Sequence, residues 1–142
     1  MFTNASCTVY NHYRNDAANR IEVYRTYLHA VFWEPRKAAN ITQSGVKEAD
    51  AFRVFIPLSV SAEGKTYIDP IGYADLPPDQ IGAHWTLTEG VDCLVKGDAP
   101  AVNSVKDLKE ILPRFYEHFK IMAVDPKHYG GKSMHHWEVS GK

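Results

Sequence analysis

Apolar and polar residues alternate along much of the chain, and this period-two pattern predicts strands more often than helices. Residues 5–13, with the sequence ASCTVYNHY, are rich in β-branched and aromatic types. The polar cluster RNDAAN that follows is typical of a turn. The first element is therefore predicted to be a strand over residues 5–13.

The segment 21–33 supports two interpretations. As a strand, it places one set of apolar side chains on a single face: Ile21, Val23, Tyr27, Val31 and Trp33. As a helix, it places a different set along one stripe: Val23, Tyr24, Tyr27, Leu28, Val31 and Phe32. Arg25 and His29 interrupt the strand-like face. Because β-branched and aromatic residues dominate, we favour a long strand that is bent or bulged.

The middle of the chain mixes strand patterns with turn-forming residues. A Pro- and Gly-containing loop is predicted over 34–45, and a strand over 51–58 that ends near a sheet edge at Pro57. Residues 59–82 are predicted to be irregular, with four anchors: Tyr67, Ile68, Ile71 and Tyr73. Two short strands, 85–87 and 91–96, are then predicted to form a hairpin through Glu89 and Gly90.

One helix is predicted near the C-terminal third. Ser104 stands three residues before Asp107 in a capping-box-like start, and apolar residues then recur at helical spacing before Pro113: Val105, Leu108, Ile111 and Leu112. A strand over 115–124, a turn over 125–131 and a last strand over 133–139 complete a final hairpin. The sequence thus predicts a mainly β fold, a small barrel or sandwich of about six strands with one short helix and long loops.

Composition indicates one domain over residues 1–142 that folds without disulfides or a bound metal. The 142 residues are 44% hydrophobic, enough for a core without disulfides or a structural metal. Sixteen basic residues nearly balance seventeen acidic ones, which disfavours free DNA as the main partner. Cys7 and Cys93 are far apart and indicate a reducing compartment. Neither a signal peptide nor a membrane-spanning segment is expected.

Seven histidines raise the question of a metal site. The candidates are His128, His135 and His136, with His84 or His118 in addition. Adjacent residues on a strand point to opposite faces, so His135 and His136 are poorly placed to bind one ion. We therefore expect no metal and no cofactor, and a metal-dependent enzyme or binding module that uses these histidines remains the alternative.

Nucleophilic and acid–base chemistry is also weakly supported by the sequence. Cys93 lies in the apolar run DCLVKG, where a packed thiol is expected, and no GxSxG or phosphate-binding glycine loop is present. Three acidic residues lie beside turns and are expected to be solvated: Glu89, Asp92 and Asp98. Three tryptophans are expected in the core: Trp33, Trp85 and Trp137. We expect a protein that is not an enzyme.

Several motifs together carry a family resemblance. They are TVYNHY near the start, VFWEPRKAANITQSGVKEAD, the FIP strand, HWTL followed by GVDCLVKG, and the terminal HHWEV. Across essentially the whole chain these resemble a family of small, poorly characterised head and neck proteins of tailed phages and prophages. The resemblance implies a structural protein of the virion, of the head-closure (stopper) or head–tail connector type. A tail terminator, a tail completion protein and a minor capsid protein are alternatives within that class.

The resemblance also implies partners and a location. Such a protein is made in the cytoplasm of the bacterial host and forms a ring of six or twelve copies in the virion neck. The ring meets the portal or adaptor ring on one side and the tail terminator or tail tube on the other, and its lumen faces packaged DNA. The long loops supply the contact candidates: Arg36, Lys37, Asn40, Lys47, Tyr67 and Tyr73. Solvated loop charge is the alternative role for Arg36, Lys37 and Lys47.

Overall fold

Six antiparallel strands close into a small barrel, so the predicted mainly β fold is confirmed. The computed structural model describes residues 2–35, 52–115, 117–128 and 130–142. The barrel strands are β1 (Ala5–Asn15), β2 (Arg20–Trp33), β3 (Phe52–Pro57), β6 (Cys93–Lys96), β7 (His118–Lys127) and β8 (His136–Gly141). They follow one another around the barrel in the order β1, β2, β3, β8, β7, β6. A separate parallel pair joins β4 (Thr66–Tyr67) to β5 (His84–Trp85).

Two α-helices and three short 3₁₀ turns complete the described chain. The α-helices are α1 (Pro70–Ala74) and α2 (Val105–Ile111), and the 3₁₀ turns cover Ile81–Ala83, Leu112–Arg114 and Lys132–Met134. The predicted start of α2 is confirmed, because the hydroxyl of Ser104 accepts a hydrogen bond from the amide of Asp107 at 3.1 Å. None of the helices in the described ranges is long and apolar enough to cross a membrane.

The strand interpretation of residues 21–33 is confirmed, and β2 contains the expected bulge. Ala5 pairs with Val31 and Cys7 pairs with Leu28, so two residues of β2 stand opposite one residue of β1. The two residues of β2 in this bulge, His29 and Ala30, are both exposed. This irregularity allows Leu28 and Val31, three residues apart, to point into the same core.

The barrel core is built around large aromatic rings, as the tryptophan prediction anticipated. The rings of Phe52 and Phe119 stack with centroids 5.2 Å apart, and Trp33 meets Phe119 edge to face at 5.5 Å. Trp85 and Trp137 form a second edge-to-face pair at 5.4 Å. Burial of these rings fills the barrel without a disulfide, since both cysteines are free.

Strand β1 is buried on both of its faces. Val9 packs into the barrel core, whereas Tyr10 points outward and packs with Leu108 beneath α2. Tyr13 lies on the same side of the strand as Val9 and packs with Tyr73 of α1 at the end of the barrel. The two α-helices therefore cover opposite faces of one strand.

Two predictions about the middle of the chain are wrong. Strands β5 and β6 do not form a hairpin, because β5 pairs with β4 while β6 pairs with β1 and β7. Residues 59–82 are also less irregular than predicted, since they contain β4 and α1. The α1 helix begins at Pro70, and the preceding Asp69 accepts a hydrogen bond from the amide of Gly72.

Side chains occupy backbone groups along two stretches of barrel strand that extend beyond their pairing partners among the described residues. Along β2, the ammonium group of Lys65 donates to the carbonyl of Arg25 at 2.6 Å, and the carboxylate of Glu63 accepts from the amide of Tyr27 at 2.9 Å. Strand β7 extends beyond its pairing with β6, and there Glu89 accepts from the amide of Val124 at 2.7 Å. Pro126 carries no amide hydrogen. These features disfavour the addition of another strand along either stretch.

Candidate assembly surface

A row of aromatic rings crosses the outer surface of the barrel, and we call it the aromatic ladder: Phe2, Phe32, Phe55 and His136. Neighbouring ring centroids are 5.9, 5.8 and 5.4 Å apart along this row. Phe2 exposes 75% of its surface, and the other three are partly exposed. A contiguous aromatic row on the outside of a domain is the kind of surface on which protein interfaces are often built.

The ladder follows from the register of β2 and β3. Phe32 stands opposite Phe55, and their neighbours Trp33 and Val54 point into the core. Because side chains alternate along a strand, the two phenylalanines must point outward. Arg53 lies beside the row, 3.7 Å from the carboxylate of Glu34 and 3.8 Å from that of Glu138. An aromatic centre with a charged border matches the usual composition of a protein interface.

A groove lies between α2 and the outer face of the barrel, with a volume of about 340 Å³. We call it the α2 groove. Most of its lining is apolar, contributed by Val91, Cys93, Val105, Leu108 and Leu112. The polar lining consists of His12, Lys109 and Lys120. Its volume is that of a small binding pocket.

Asp92, next to the groove, is fully buried, and this corrects the expectation that it is solvated. Oδ1 accepts from the amide of His12 at 2.9 Å and lies 3.2 Å from Nδ1 of the same residue. Oδ2 accepts from Nδ2 of Asn11 at 2.8 Å and from the amide of Thr88 at 3.1 Å. The carboxylate therefore ties β1 to the segment between β5 and β6, and its burial is compensated by these donors.

Cys93, His12 and Asp92 bring a thiol, an imidazole and a carboxylate into one region, which raises the question of nucleophilic catalysis. Burial, followed by the charge of Asp92, raises the pKa of the Cys93 thiol to about 12. A catalytic cysteine needs the opposite shift, because the thiolate is the nucleophile. The pKa of Cys7 is also raised by burial. Both thiols are packed side chains, as the sequence predicted.

The histidines do not converge on one point among the described residues. The rings of His128 and His135 meet with centroids 5.3 Å apart, whereas His136 packs against Phe55. His118 has its Nδ1 2.9 Å from the carbonyl oxygen of Phe115. No group of three or more metal-ligating side chains occurs within the described ranges.

The six predicted contact residues do not form one patch that the structure describes. Four of them lie outside the described residues: Arg36, Lys37, Asn40 and Lys47. Tyr67 is half-buried, and its ring contacts Trp85 at 5.1 Å and Trp137 at 4.5 Å. Tyr73 is only 2% exposed, because its ring packs against Tyr13, so its side chain belongs to the interior.

Sequence reasoning missed the aromatic ladder, although a signal was present. Phe32 and Phe55 occupy strand positions that alternate with the core residues Trp33, Val54 and Ile56. Large rings on the solvent side of a strand, where polar residues are usual, are the sequence pattern that indicates such an aromatic surface.

Comparison with known families places the whole described barrel in one group. Residues 2–142 match the family model DUF6751, described as a family of unknown function. The chain belongs to DUF6751. No curated protein and no solved structure matches it. The DUF6751 barrel must therefore be interpreted from its own surfaces.

Proposed function

We propose that this DUF6751 protein is a structural subunit of a tailed-phage neck, of the head-closure or head–tail connector type. The observation that carries this proposal is the aromatic ladder on the outside of the barrel. The motif resemblance to phage neck proteins supports the proposed location. In this role the subunit forms a ring between the portal or adaptor ring and the tail.

The ladder supports an assembly role for an energetic reason. Exposure of aromatic rings to water is unfavourable. When a partner covers them, the free energy of the complex falls by about 25 cal/mol per Å² of buried apolar surface. Aromatic residues are also enriched among the side chains that dominate binding energy at protein interfaces. Arg53, with Glu34 and Glu138 nearby, adds charged groups at the border of the surface.

In this proposal the ladder makes the contact with the adjacent protein ring of the neck, either the portal or adaptor ring or the first ring of the tail. A tail terminator, a tail completion protein or a minor capsid protein would use the same kind of surface and differ in its neighbours. Ring position in the particle separates these roles.

The first experiment is cryo-electron microscopy of the neck of particles from the phage or prophage that encodes the chain. Density for the six-stranded barrel in a ring between portal and tail is the expected result. Absence of the protein from purified particles, judged by mass spectrometry, would overturn the proposed function.

A second experiment tests the ladder itself. Particles lacking the gene are complemented with the wild type, with Phe2→Ser or Phe55→Ser, or with Ile21→Ser as a control that is exposed but outside the ladder. We expect the ladder variants to fold, as judged by circular dichroism, and to give separated heads and tails. The control is expected to restore joined particles. Equal restoration by all variants would argue against the ladder as the contact surface.

A further inference from the structure

Ile71 is an exposed apolar side chain in acidic surroundings. It exposes 76% of its surface, whereas Tyr73 in the same helix is buried. Two exposed carboxylates, Asp69 and Asp75, flank it, and residues 66–83 contain three aspartates and no lysine or arginine. We call Ile71 with Asp69 and Asp75 the acidic knob.

The α2 groove has the complementary character. Its floor is apolar, and its polar lining includes the ammonium groups of Lys109 and Lys120 but no carboxylate. Among the described residues, neither lysine has an ion-pair partner. Val91, which also lines the groove, is 44% exposed and extends the apolar surface outward. The groove is thus suited to an apolar side chain that is flanked by carboxylates.

The knob and the groove lie on opposite sides of the same strand. Helix α1 is anchored by Tyr73 on Tyr13, and α2 is anchored by Leu108 next to Tyr10. Tyr10 and Tyr13 are three residues apart in β1 and therefore point to opposite faces. The acidic knob of one copy can then contact a second copy, while the α2 groove of the same copy binds the knob of a third. Contacts of this head-to-tail kind generate rings when the rotation closes.

We propose that the α2 groove binds the acidic knob of a second copy of this chain. Ile71 enters the apolar floor, and Asp69 and Asp75 face Lys109 and Lys120 of the neighbouring copy. This inference rests on the proposed function, because it names the contact that joins copies within the ring. The aromatic ladder remains free for the adjacent ring.

A mixing experiment with the full chain tests the contact. Sedimentation velocity is measured for the wild type, for Ile71→Ser, for Lys109→Glu combined with Lys120→Glu, and for the control Ile21→Ser, which is 44% exposed and lies in β2. We expect the knob variant and the groove variant each to raise the dissociation constant about tenfold or more, the loss typical of an anchor residue. The control is expected to behave as the wild type.

The mixture gives the sharpest result. The Ile71→Ser protein keeps its groove and the double lysine variant keeps its knob, so together they can make one contact and no more. We expect a one-to-one pair that does not grow. Equal association of Ile71→Ser and Ile21→Ser, a wild type that stays monomeric, or a mixture that stays monomeric would each overturn the inference.

A cross-link supplies an independent readout, because Val91 lines the groove and is 44% exposed. In a variant that carries both Ile71→Cys and Val91→Cys, oxidation with copper phenanthroline is expected to join the two introduced thiols of different copies, as mapped by mass spectrometry of unreduced peptides. A variant with Ile21→Cys and Val91→Cys serves as the control. The inference fails if the first variant gives no more cross-link between copies than the control.

Failure of this inference is distinguishable from failure of the proposed function. A ring in the virion neck whose copies touch elsewhere would overturn the knob–groove contact alone. Absence from the particle would overturn the neck function, while the solution measurements would still decide the contact between copies.

Discussion

Nδ2 of Asn11 donates to Oδ2 of Asp92 at 2.8 Å, and both side chains are fully buried. The same Asn11 side chain also donates to the carbonyl of Thr86 and accepts from its amide. One amide and one carboxylate therefore fix β1 against the chain between β5 and β6. This link, rather than a β5–β6 hairpin, sets the path of residues 86–92.

Asp92→Ala is expected to destabilise the protein by about 3–5 kcal/mol, because several buried donors lose a charged acceptor at once. Urea denaturation measures the change. Asp98→Ala is the matched control, since the Asp98 side chain is 66% exposed and forms an ion pair with Arg25. We expect the control to cost less than about 1 kcal/mol. Equal losses in the two variants would contradict the structural role of Asp92.

Gly141→Ala is expected to cost about 1–3 kcal/mol through overpacking. A Cβ at this position would overlap the carbonyl oxygen of Lys120, in the part of the barrel where β8 meets β7. Gly82→Ala is the control, because a Cβ there meets nothing within 4 Å. Thermal unfolding of the two variants checks the difference, and a melting temperature equally unchanged in both would contradict the register of β7 and β8.

The stability of the protein is expected to fall as the pH rises above about 9. Burial raises the pKa of Cys93 from 9.0 to about 12, so the folded state keeps a proton that the unfolded state releases between these values. The contribution of the thiol to the free energy of unfolding is complete below pH 9. Above pH 9 this contribution falls by about 1.4 kcal/mol per pH unit. Urea unfolding of the wild type and of Cys93→Ala at several pH values measures this slope. The free energy of unfolding should decline less steeply with pH in Cys93→Ala than in the wild type. Identical slopes would contradict the burial of the Cys93 thiol.

Lys65→Met is expected to loosen the edge of β2. The ammonium group of Lys65 donates to the carbonyl of Arg25 at 2.6 Å and to the hydroxyl of Thr26 at 3.0 Å, and Met keeps the length of the side chain without the donors. A loss of about 1–3 kcal/mol is expected from the acceptors left without a donor. Hydrogen exchange should become faster at the amides of Tyr27 and His29. Lys106→Met, on the exposed side of α2, should leave exchange in β2 unchanged.

Local patterns in the sequence predicted most of the secondary structure. The first two strands, β3, α2 and the last hairpin follow from alternation, β-branched content and the Ser104 cap, which depend on neighbouring residues. Strand partners were harder to predict, because pairing is decided by distant residues. Asp92 is an example. From its neighbours in the sequence it is predicted to be a solvated carboxylate beside a turn, but its hydrogen-bond donor Asn11 lies 81 positions away in the chain. The surfaces were least predictable, since Tyr73 and Ile71 differ in burial although both are apolar residues of α1.

The side chains that occupy the outward backbone of β2 and β7 have a consequence for how the barrel evolves. Lys65, Glu63 and Glu89 already bond to backbone groups there and Pro126 offers no amide hydrogen, so under the proposed assembly role a partner would be met mainly by side chains. Different residues would then determine folding and partner recognition. The hydrogen-bonded strands can stay unchanged while substitutions on the outer surface alter what is recognised. Under the proposed assembly role, a few surface substitutions would be enough to change the neighbour that the barrel binds.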